Sequence, residues 1–340
     1  MNKNLESSFV FNYCREFLEK YLPLVKSRSI HTITAYVDAL TLFRLFAGTK
    51  GKSIDDFYFS DITEDFMLEF RIWLAAERNE KPQSVNHRFM LVRNYISYCG
   101  RDNLVVASLW LKLKEIPGLR CSIPDEEALT EEQVTLLLQQ PVDTRKGIRN
   151  RTFMIMLYET AARVSELINL RMENIFFDTE VPHVILLGKG NKERSIPLRK
   201  NTCDHLGLYL GTYHPAETPI PWLFYNTVKG NTTTLSLDCI GEFLNKYASM
   251  AHAVEPDFPI RIHSHLFRKS KATHLSDHGV GLPIISRYLG HADITTTMTY
   301  VKPNQKKIKE ALERSSSDHK FTTSEAKEYE NIRAKLCGIR

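Results

Sequence analysis

At 340 residues, with 43% hydrophobic and 25% charged side chains, the chain has globular composition and room for two domains with a core each. The net charge of +5 is spread out: residues 1–120 carry 17 Lys and Arg against 14 Asp and Glu, and the remainder 28 against 26. Such mild basicity permits a polyanionic partner without demanding one, so a face for it must come from the placement of charge. Six scattered cysteines, at positions 14, 99, 121, 203, 239 and 337, form no C-x-x-C pair, which argues against a zinc ribbon or a redox motif. No apolar run has the length of a signal-peptide core or a membrane span, so a soluble, cytoplasmic protein is expected.

The first third reads as helices. Ser29 caps a stretch in which Ile33, Tyr36, Val37, Leu40, Phe43 and Ala47 recur at helical spacing, with Gly48 at its stop. Ile62 to Ala76 is a second helix. Ser84 opens a third, with Val85, Phe89, Val92, Ile96 and Cys99 on one face, Arg88 and Arg93 near it, and His87 opposite. The acids Asp55, Asp56, Asp61, Glu64, Asp65 and Glu69 match no metal-ligand spacing and read as a solvated surface. Residues 113–128 hold two prolines, a glycine and no apolar period, and are expected to link two domains. Thr130-Glu-Glu-Gln133 is a capping box ahead of VTLLLQQ, and residues 150–172 form a second strong helix of this half. HVILLGKGNKERSIPL reads as two strands around a Gly-rich turn. Helix is expected from there to about Glu313, then a polar break, SSSDHK, and a charged helix, SEAKEYENIRAKL.

Four segments of the second half carry groups suited to a phosphate. In TAARVSEL, Arg163 and Glu166 stand three apart on an expected helix. The carboxylate can hold one edge of the guanidinium and leave the other for bidentate phosphate contact; a surface ion pair has the same spelling. In GKGNKERS, Gly188 and Gly190 flank Lys189 and suit a hairpin tip. The spacing is not that of a Walker A loop, and a solvated basic turn is the plain alternative. In HLFRKSKAT, His265 and Arg268 share a helix face, pairing a proton-exchanging group with a fixed cation. A structural histidine beside a surface arginine fits those residues too. In LGHADITTTMTYVKP, His291 precedes Tyr300 by nine residues, with four threonines between. A phenol with pKa near 10 is a poor nucleophile at pH 7, but several cations focused on one phosphate would stabilise both phenolate and transition state. His274 and His278 are spaced as two zinc ligands on one helix face. Their spelling is HLSDH rather than H-E-x-x-H, and no third ligand has matching spacing.

In this order, AARVSEL, LLGKGNKERSIPL, HLFRKSKATHL and LGHADITTTMTYVK resemble the motifs of the tyrosine recombinase family, the phage integrases and Xer-type recombinases. SIHTITAYVDALTLF and SVNHRFMLVRNYISY resemble its helical core-binding domain. The resemblance implies a mainly α, α+β architecture. A helical core-binding domain would span 1–112, a linker 113–128, and a mixed α/β catalytic domain with a small antiparallel sheet 129–313. A tail over 314–340 could be exchanged between protomers.

The resemblance also implies roles. Tyr300 attacks a DNA phosphate and forms a 3′-phosphotyrosyl link, Arg163 and Arg268 grip the non-bridging oxygens, and Lys189 protonates the leaving 5′-oxygen. His265 assists proton transfer at the tyrosine, His291 hydrogen-bonds the phosphate, and Glu166 supports Arg163. Two positions depart from the usual spelling: Lys269, where relatives often carry histidine, and Ala162, where glycine is frequent. No metal and no cofactor are implied, since cations supply the charge neutralisation. The implied partners are double-stranded DNA with specific sites, touched along its backbone by residues such as Arg88, Arg93, Lys192 and Arg194, and further copies of the chain in a tetramer on two sites. Because the helical first domain is expected to start close to the N-terminus, no arm-binding domain is expected to precede it. The expected function is site-specific recombination for integration, excision or transposition of a mobile element. Xer-type chromosome or plasmid dimer resolution is the alternative. A catalytically silent DNA-binding protein and a topoisomerase-like enzyme stand further off.

Overall fold

The computed structural model describes residues 9–121, 127–177, 179–188, 192–215, 220–291, 293–298 and 323–338. The chain parts into two units, Met1–Asp125 and Glu126–Arg340, each with its own hydrophobic core. Among the described residues no helix is long and apolar enough to cross a membrane.

In the first unit a short turn, α1 (Cys14–Glu16), runs into a π-helical stretch, Phe17–Val25. Four helices follow: α2 (Ile30–Thr49), α3 (Glu64–Ala76), α4 (Pro82–Cys99) and α5 (Leu104–Lys114). Ser29 Oγ accepts from the Thr32 N–H at 3.4 Å and starts α2. The helix outruns Gly48 by one residue, and the left-handed position beyond it belongs to Gly51, φ 74°. Thr63 starts α3 by accepting from the Phe66 N–H at 3.1 Å. Ser84 does not start α4. Lys81 is the N-cap and Pro82 follows it, where a missing N–H is harmless. Phenylalanines dominate the core, with Phe43–Phe70 and Phe46–Phe66 meeting edge-on at 5.0 Å between centroids. The acidic surface residues have cations to hand: Lys52 bonds Asp61 at 2.9 Å and Lys50 pairs with Glu69 at 2.6 Å.

The stretch expected to be a linker from residue 113 is held down as far as residue 119. Arg93 Nη1 donates to the carbonyls of Leu113, Lys114 and Ile116 at 3.0, 3.3 and 3.1 Å. Asn86 exchanges two bonds with the Leu119 backbone, at 2.8 and 2.9 Å, and Arg71 donates to the Pro117 carbonyl at 2.8 Å.

The second unit is helical around small antiparallel sheets. Its elements are α6 (Glu131–Gln139), α7 (Arg145–Thr160), α8 (Val164–Ile168), β1 (Ile175–Phe176), β2 (His183–Leu187), β3 (Glu193–Pro197) and α9 (Lys200–Tyr213). They continue with β4 (Tyr225–Val228), β5 (Asn231–Thr234), α10 (Leu237–Val254), α11 (Ser264–Asp277), α12 (Leu282–Leu289), α13 (Thr295–Met298) and α14 (Thr323–Leu336). The capping box forms: Thr130 Oγ1 accepts from the Gln133 N–H and Gln133 Oε1 from the Thr130 N–H. The three-stranded sheet has the order β1-β2-β3, with Val184 opposite Ile196. Both are buried in a core shared with Phe153, Leu157, Leu167 and Phe267. Two features were not expected from the sequence: the third strand β1, and the hairpin β4–β5 inside a region read as helix. The hairpin turns at Lys229 and Gly230, φ 50° and 81°. Positive φ at both central residues matches the twist of the flanking strands.

Candidate active site

Helix α7 is buried from Thr152 through Thr160 and stops at Ala161, whose φ of 45° and ψ of 31° are left-handed. The single helix expected over residues 150–172 is therefore two, and Arg163 stands between them. It is the N-cap of α8, with extended backbone at φ −68° and ψ 144°. Its partnership with Glu166 is thus a cap in which Glu166 accepts from both the backbone and the side chain of Arg163, rather than a contact across a helical turn. Glu166 Oε2 accepts from the Arg163 N–H at 2.8 Å, and Oε1 accepts from Arg163 Nη1 at 2.8 Å. Ala162 is buried without strain, because the left-handed position falls on Ala161.

Strand β3 brings a second guanidinium to the same carboxylate. Arg194 Nη1 donates to Oε1 at 3.1 Å and Nη2 to Oε2 at 2.6 Å. Glu166 is 4% exposed at its side chain and each of its oxygens accepts two hydrogen bonds. Burial works to raise its pKa, but the bonds and charge of Arg194, then the bonds from Arg163, outweigh it and hold the carboxyl below its usual range. Arg194 was expected on a DNA backbone. Its side chain is only 9% exposed, so it faces inward instead. Arg93 is likewise committed to the carbonyls beyond α5, and Arg88 to Glu80 at 2.6 Å. Of the four expected backbone contacts, Lys192 alone lies exposed without such a described partner.

Helix α11 carries His265 near its start, exposed, and Arg268 one turn later, 1% exposed. Arg268 Nη1 donates to the Ala161 carbonyl at 2.7 Å and Nη2 to the Leu289 carbonyl at 2.6 Å. Those carbonyls lie two residues before Arg163 and two residues before His291. One guanidinium thus fixes the backbone on which two other motif residues hang. After Leu289, Gly290 takes φ 67° and ends α12. A Cβ there would stand 3.1 Å from Arg194 Cδ and 3.2 Å from its Nη1, so a side chain would crowd Arg194 as well as strain the left-handed turn.

His291 follows, with Nδ1 2.8 Å from Thr297 Oγ1. Its pKa is pressed down to about 4, first by burial, then by the charges of Arg268, Arg163, His265 and Arg194. Hydrogen bonds join three of them: Arg163 and Arg194 share Glu166, and Arg268 holds the backbone two residues before Arg163 and His291. Thr297 is fully buried and, with Arg194, is a site residue that the sequence reading did not single out. Lys189 and Tyr300 lie outside the described residues, as does most of the expected tail before α14.

The shift has a sign. His291 binds a proton less readily folded than at its ordinary value of 6.5. Its contribution to stability is present above pH 6.5 and is lost as pH falls toward 4. In the free protein the His291 ring resonance should titrate near pH 4 by NMR. A midpoint near the ordinary value would mean that the cations do not surround it.

The zinc-like pair is otherwise occupied. His274 Nε2 bonds the Leu129 carbonyl at 2.8 Å and Nδ1 the Tyr158 hydroxyl at 2.7 Å. His278 lies 3.6 Å from Glu131.

Residues 127–307 match the family model described as Phage integrase family, and residues 9–112 that of the Phage integrase SAM-like domain. Tyrosine recombinase XerC of Bacillus licheniformis is 29% identical over 306 residues, covering 86% of this chain and 91% of the relative. Tyrosine recombinase XerA of Pyrococcus furiosus is 34% identical over 241 residues, covering 71% of this chain and 78% of the relative. Among solved structures, XerH site-specific recombinase bound to palindromic difH substrate, in a post-cleavage complex, is similar in fold. The TM-score is 0.65 at 19% identity, over 87% of this chain and 83% of that one.

Proposed function

The chain belongs to the phage integrase family and is a tyrosine-type site-specific DNA recombinase, and from that premise we propose how its residues cut and rejoin a strand. The phenolic oxygen of Tyr300 attacks the phosphorus of a DNA phosphodiester. A tyrosyl O–P bond forms as the P–O5′ bond breaks; the phenolic proton passes to His265, and Lys189 supplies a proton to the departing 5′-oxygen. Arg163 and Arg268 stabilise the non-bridging oxygens, where charge builds in the transition state. A guanidinium has five donors, so holding two carbonyls is compatible with that role for Arg268. With the Thr297 hydroxyl donating to Nδ1, the His291 proton sits on Nε2 and serves the same phosphate. The new ester keeps the energy of the old one, and attack by a 5′-hydroxyl reverses the step with no cofactor.

The observation that carries this reading is the pair of bonds from Arg268 to the carbonyls of Ala161 and Leu289, which brings Arg268, Arg163 and His291 together from distant parts of the chain. The test is a duplex nicked just 3′ of the cleavage point, so that the short fragment bearing the freed 5′-hydroxyl diffuses away and the covalent protein–DNA adduct is trapped. No adduct, on the DNA site the protein binds, would sink the reading. Lys189→Ala has its own test. Loss of a general acid should slow cleavage roughly 10²- to 10⁴-fold. A substrate with sulfur at the 5′-bridging position should restore most of the rate, since a thiolate leaves without a proton. If sulfur brings no recovery, Lys189 is not the acid.

The proposed partners are double-stranded DNA with specific sites and further copies of the chain, four on two sites. Helix α14 exposes Tyr329, Ile332 and Leu336. They form an apolar stripe at helical spacing, suited to docking on a neighbouring copy. Its place of action is the cytoplasm, on the nucleoid when bound to DNA. We assign the reaction to integration, excision or transposition of a mobile element. The names of the relatives, XerC and XerA, favour a second reading, resolution of chromosome or plasmid dimers. Inverted repeats or attachment-like sites flanking the gene support the first. Chromosome dimers accumulating on its deletion support the second.

A further inference from the structure

We propose that Arg194 is a positioning residue for DNA cleavage, holding Arg163 through Glu166 and bracing the turn before His291. The inference rests on the catalytic reading above and adds to it a residue that touches no DNA.

Arg194 meets parts of three motifs. Both its terminal nitrogens donate to the two oxygens of Glu166, at 3.1 and 2.6 Å. The same oxygens receive the backbone N–H and the Nη1 of Arg163. The flank of the guanidinium lies against Gly290, which has no Cβ to hold it off. Lys189 precedes it by five residues in the chain. Gly188, just past the end of β2, is also close: a Cβ there would lie 3.5 Å from Glu166 Oε1 and 3.6 Å from Arg194 Nη1.

Geometry explains why an arginine serves here. Its planar fork matches both carboxylate oxygens at once and fixes the plane of the carboxylate. That plane decides where Oε1 points, and Oε1 holds the Arg163 side chain. Lysine would supply the charge through a single nitrogen and leave the carboxylate free to rotate. A buried ion pair could also serve folding alone. The two roles differ in what a change of substrate does to the defect.

The experiment uses the full-length protein and a nicked duplex carrying the site that the wild type cleaves. Single-turnover cleavage, duplex affinity and thermal unfolding are measured for Arg194→Met, Arg194→Lys and Gly290→Ala. Loss of a residue that orients a catalytic group typically slows the reaction 10- to 100-fold, so Arg194→Met should fall by about that much. Its affinity for the duplex should stay within about twofold, since a residue that meets no phosphate adds nothing to backbone binding. Arg194→Lys should lie between, and Gly290→Ala, which pushes a methyl onto the guanidinium, should fall in the same direction.

The deciding measurement is a duplex whose scissile phosphate carries a methyl group in place of one non-bridging oxygen. It has no negative charge for Arg163 to stabilise. The deficit of Arg194→Met should shrink on it at least tenfold, as that of Arg163→Ala should. If Arg194→Met does not fold, Arg194→Lys and the paired Glu166→Gln with Arg194→Met, which removes the stranded carboxylate, give the same comparison. Undiminished cleavage by the folded variants overturns the inference, as does a deficit equal on the two substrates. Either result leaves the catalytic reading intact as long as the wild type forms its adduct. An adduct-free wild type is the distinct failure that overturns the reading itself.

Discussion

Arg268→Met should lower the melting temperature of the second unit and abolish cleavage in one step, because the guanidinium that holds two buried carbonyls is also, in the proposed mechanism, a phosphate ligand. Its side chain is 1% exposed and bonds the carbonyls of Ala161 and Leu289. Methionine fills much of the volume but offers no donor. Two buried carbonyls then lose charge-assisted bonds, each about 1.5–3 kcal/mol. The sum is roughly 3–6 kcal/mol, comparable to breaking a buried ion pair. In a unit of this size that amounts to a drop on the order of 10 °C. The chemical loss follows from the same bonds. Ala161 leads to Arg163 and Leu289 to His291, so freeing either carbonyl lets a phosphate-binding side chain drift. A misplacement of about 1 Å is worth around a hundredfold in rate. Arg268→Lys keeps the charge but reaches one carbonyl at most, and should recover part of the melting temperature and little of the cleavage. Differential scanning fluorimetry and adduct formation on the nicked duplex check both halves. A variant with wild-type melting and no cleavage would show that Arg268 serves the phosphate alone, and that the carbonyl contacts carry no weight.

The family was legible because each motif is local. Arg163 and Glu166, or His265 and Arg268, are neighbours by spacing, and their order along the chain supplied the rest. What escaped was set by contacts between distant segments. Residues 150–172 contain neither glycine nor proline, and their apolar pattern runs through Ala161 without a pause. The helix breaks there where Arg268, more than a hundred residues on, takes the Ala161 carbonyl. No local signal announces that bond. Arg93 is similar: its three carbonyl partners lie 20 to 23 residues away.

Arg194 is a different kind of miss. Along Glu193-Arg-Ser-Ile-Pro-Leu198, the alternation of a strand puts Arg194 on the face of Ile196 and Leu198, both buried. The period pointed inward, but an arginine reads by habit as surface. A charged residue in phase with buried neighbours calls for a buried partner, and Glu166 was available. The β4–β5 hairpin also had its signal in Lys229-Gly230, masked by a threonine-rich strand with little apolar alternation. The anchoring of residues 113–119 had none: prolines and a glycine describe an irregular backbone and do not say whether it is free.

Tyr300→Phe should bind the duplex as tightly as the wild type and form no adduct. The phenyl ring keeps the shape and loses only the oxygen that attacks. Removing a nucleophile outright lowers rates on the order of 10⁴-fold or more, well below what a trapping assay detects. Binding should be spared because affinity for DNA comes from cations along the backbone, not from one hydroxyl. The chain itself argues for this tyrosine over the other 13. Thr297 is fully buried and bonded to His291 at 2.8 Å. Tyr300 follows Thr297 by three residues in the chain, a stretch that spans at most about 10 Å. In the proposed mechanism the cations Arg163 and Arg268 also make the oxygen reactive. A phenol near pKa 10 is almost wholly protonated at neutral pH, and positive charge around the phosphate favours the phenolate. Cleavage by the wild type should therefore fall steeply with added salt even at saturating DNA, while Tyr300→Phe stays silent at every ionic strength. Adduct formation by the phenylalanine variant, mapped by peptide sequencing to another residue, would move the nucleophile elsewhere and leave the depressed His291 without its proposed purpose.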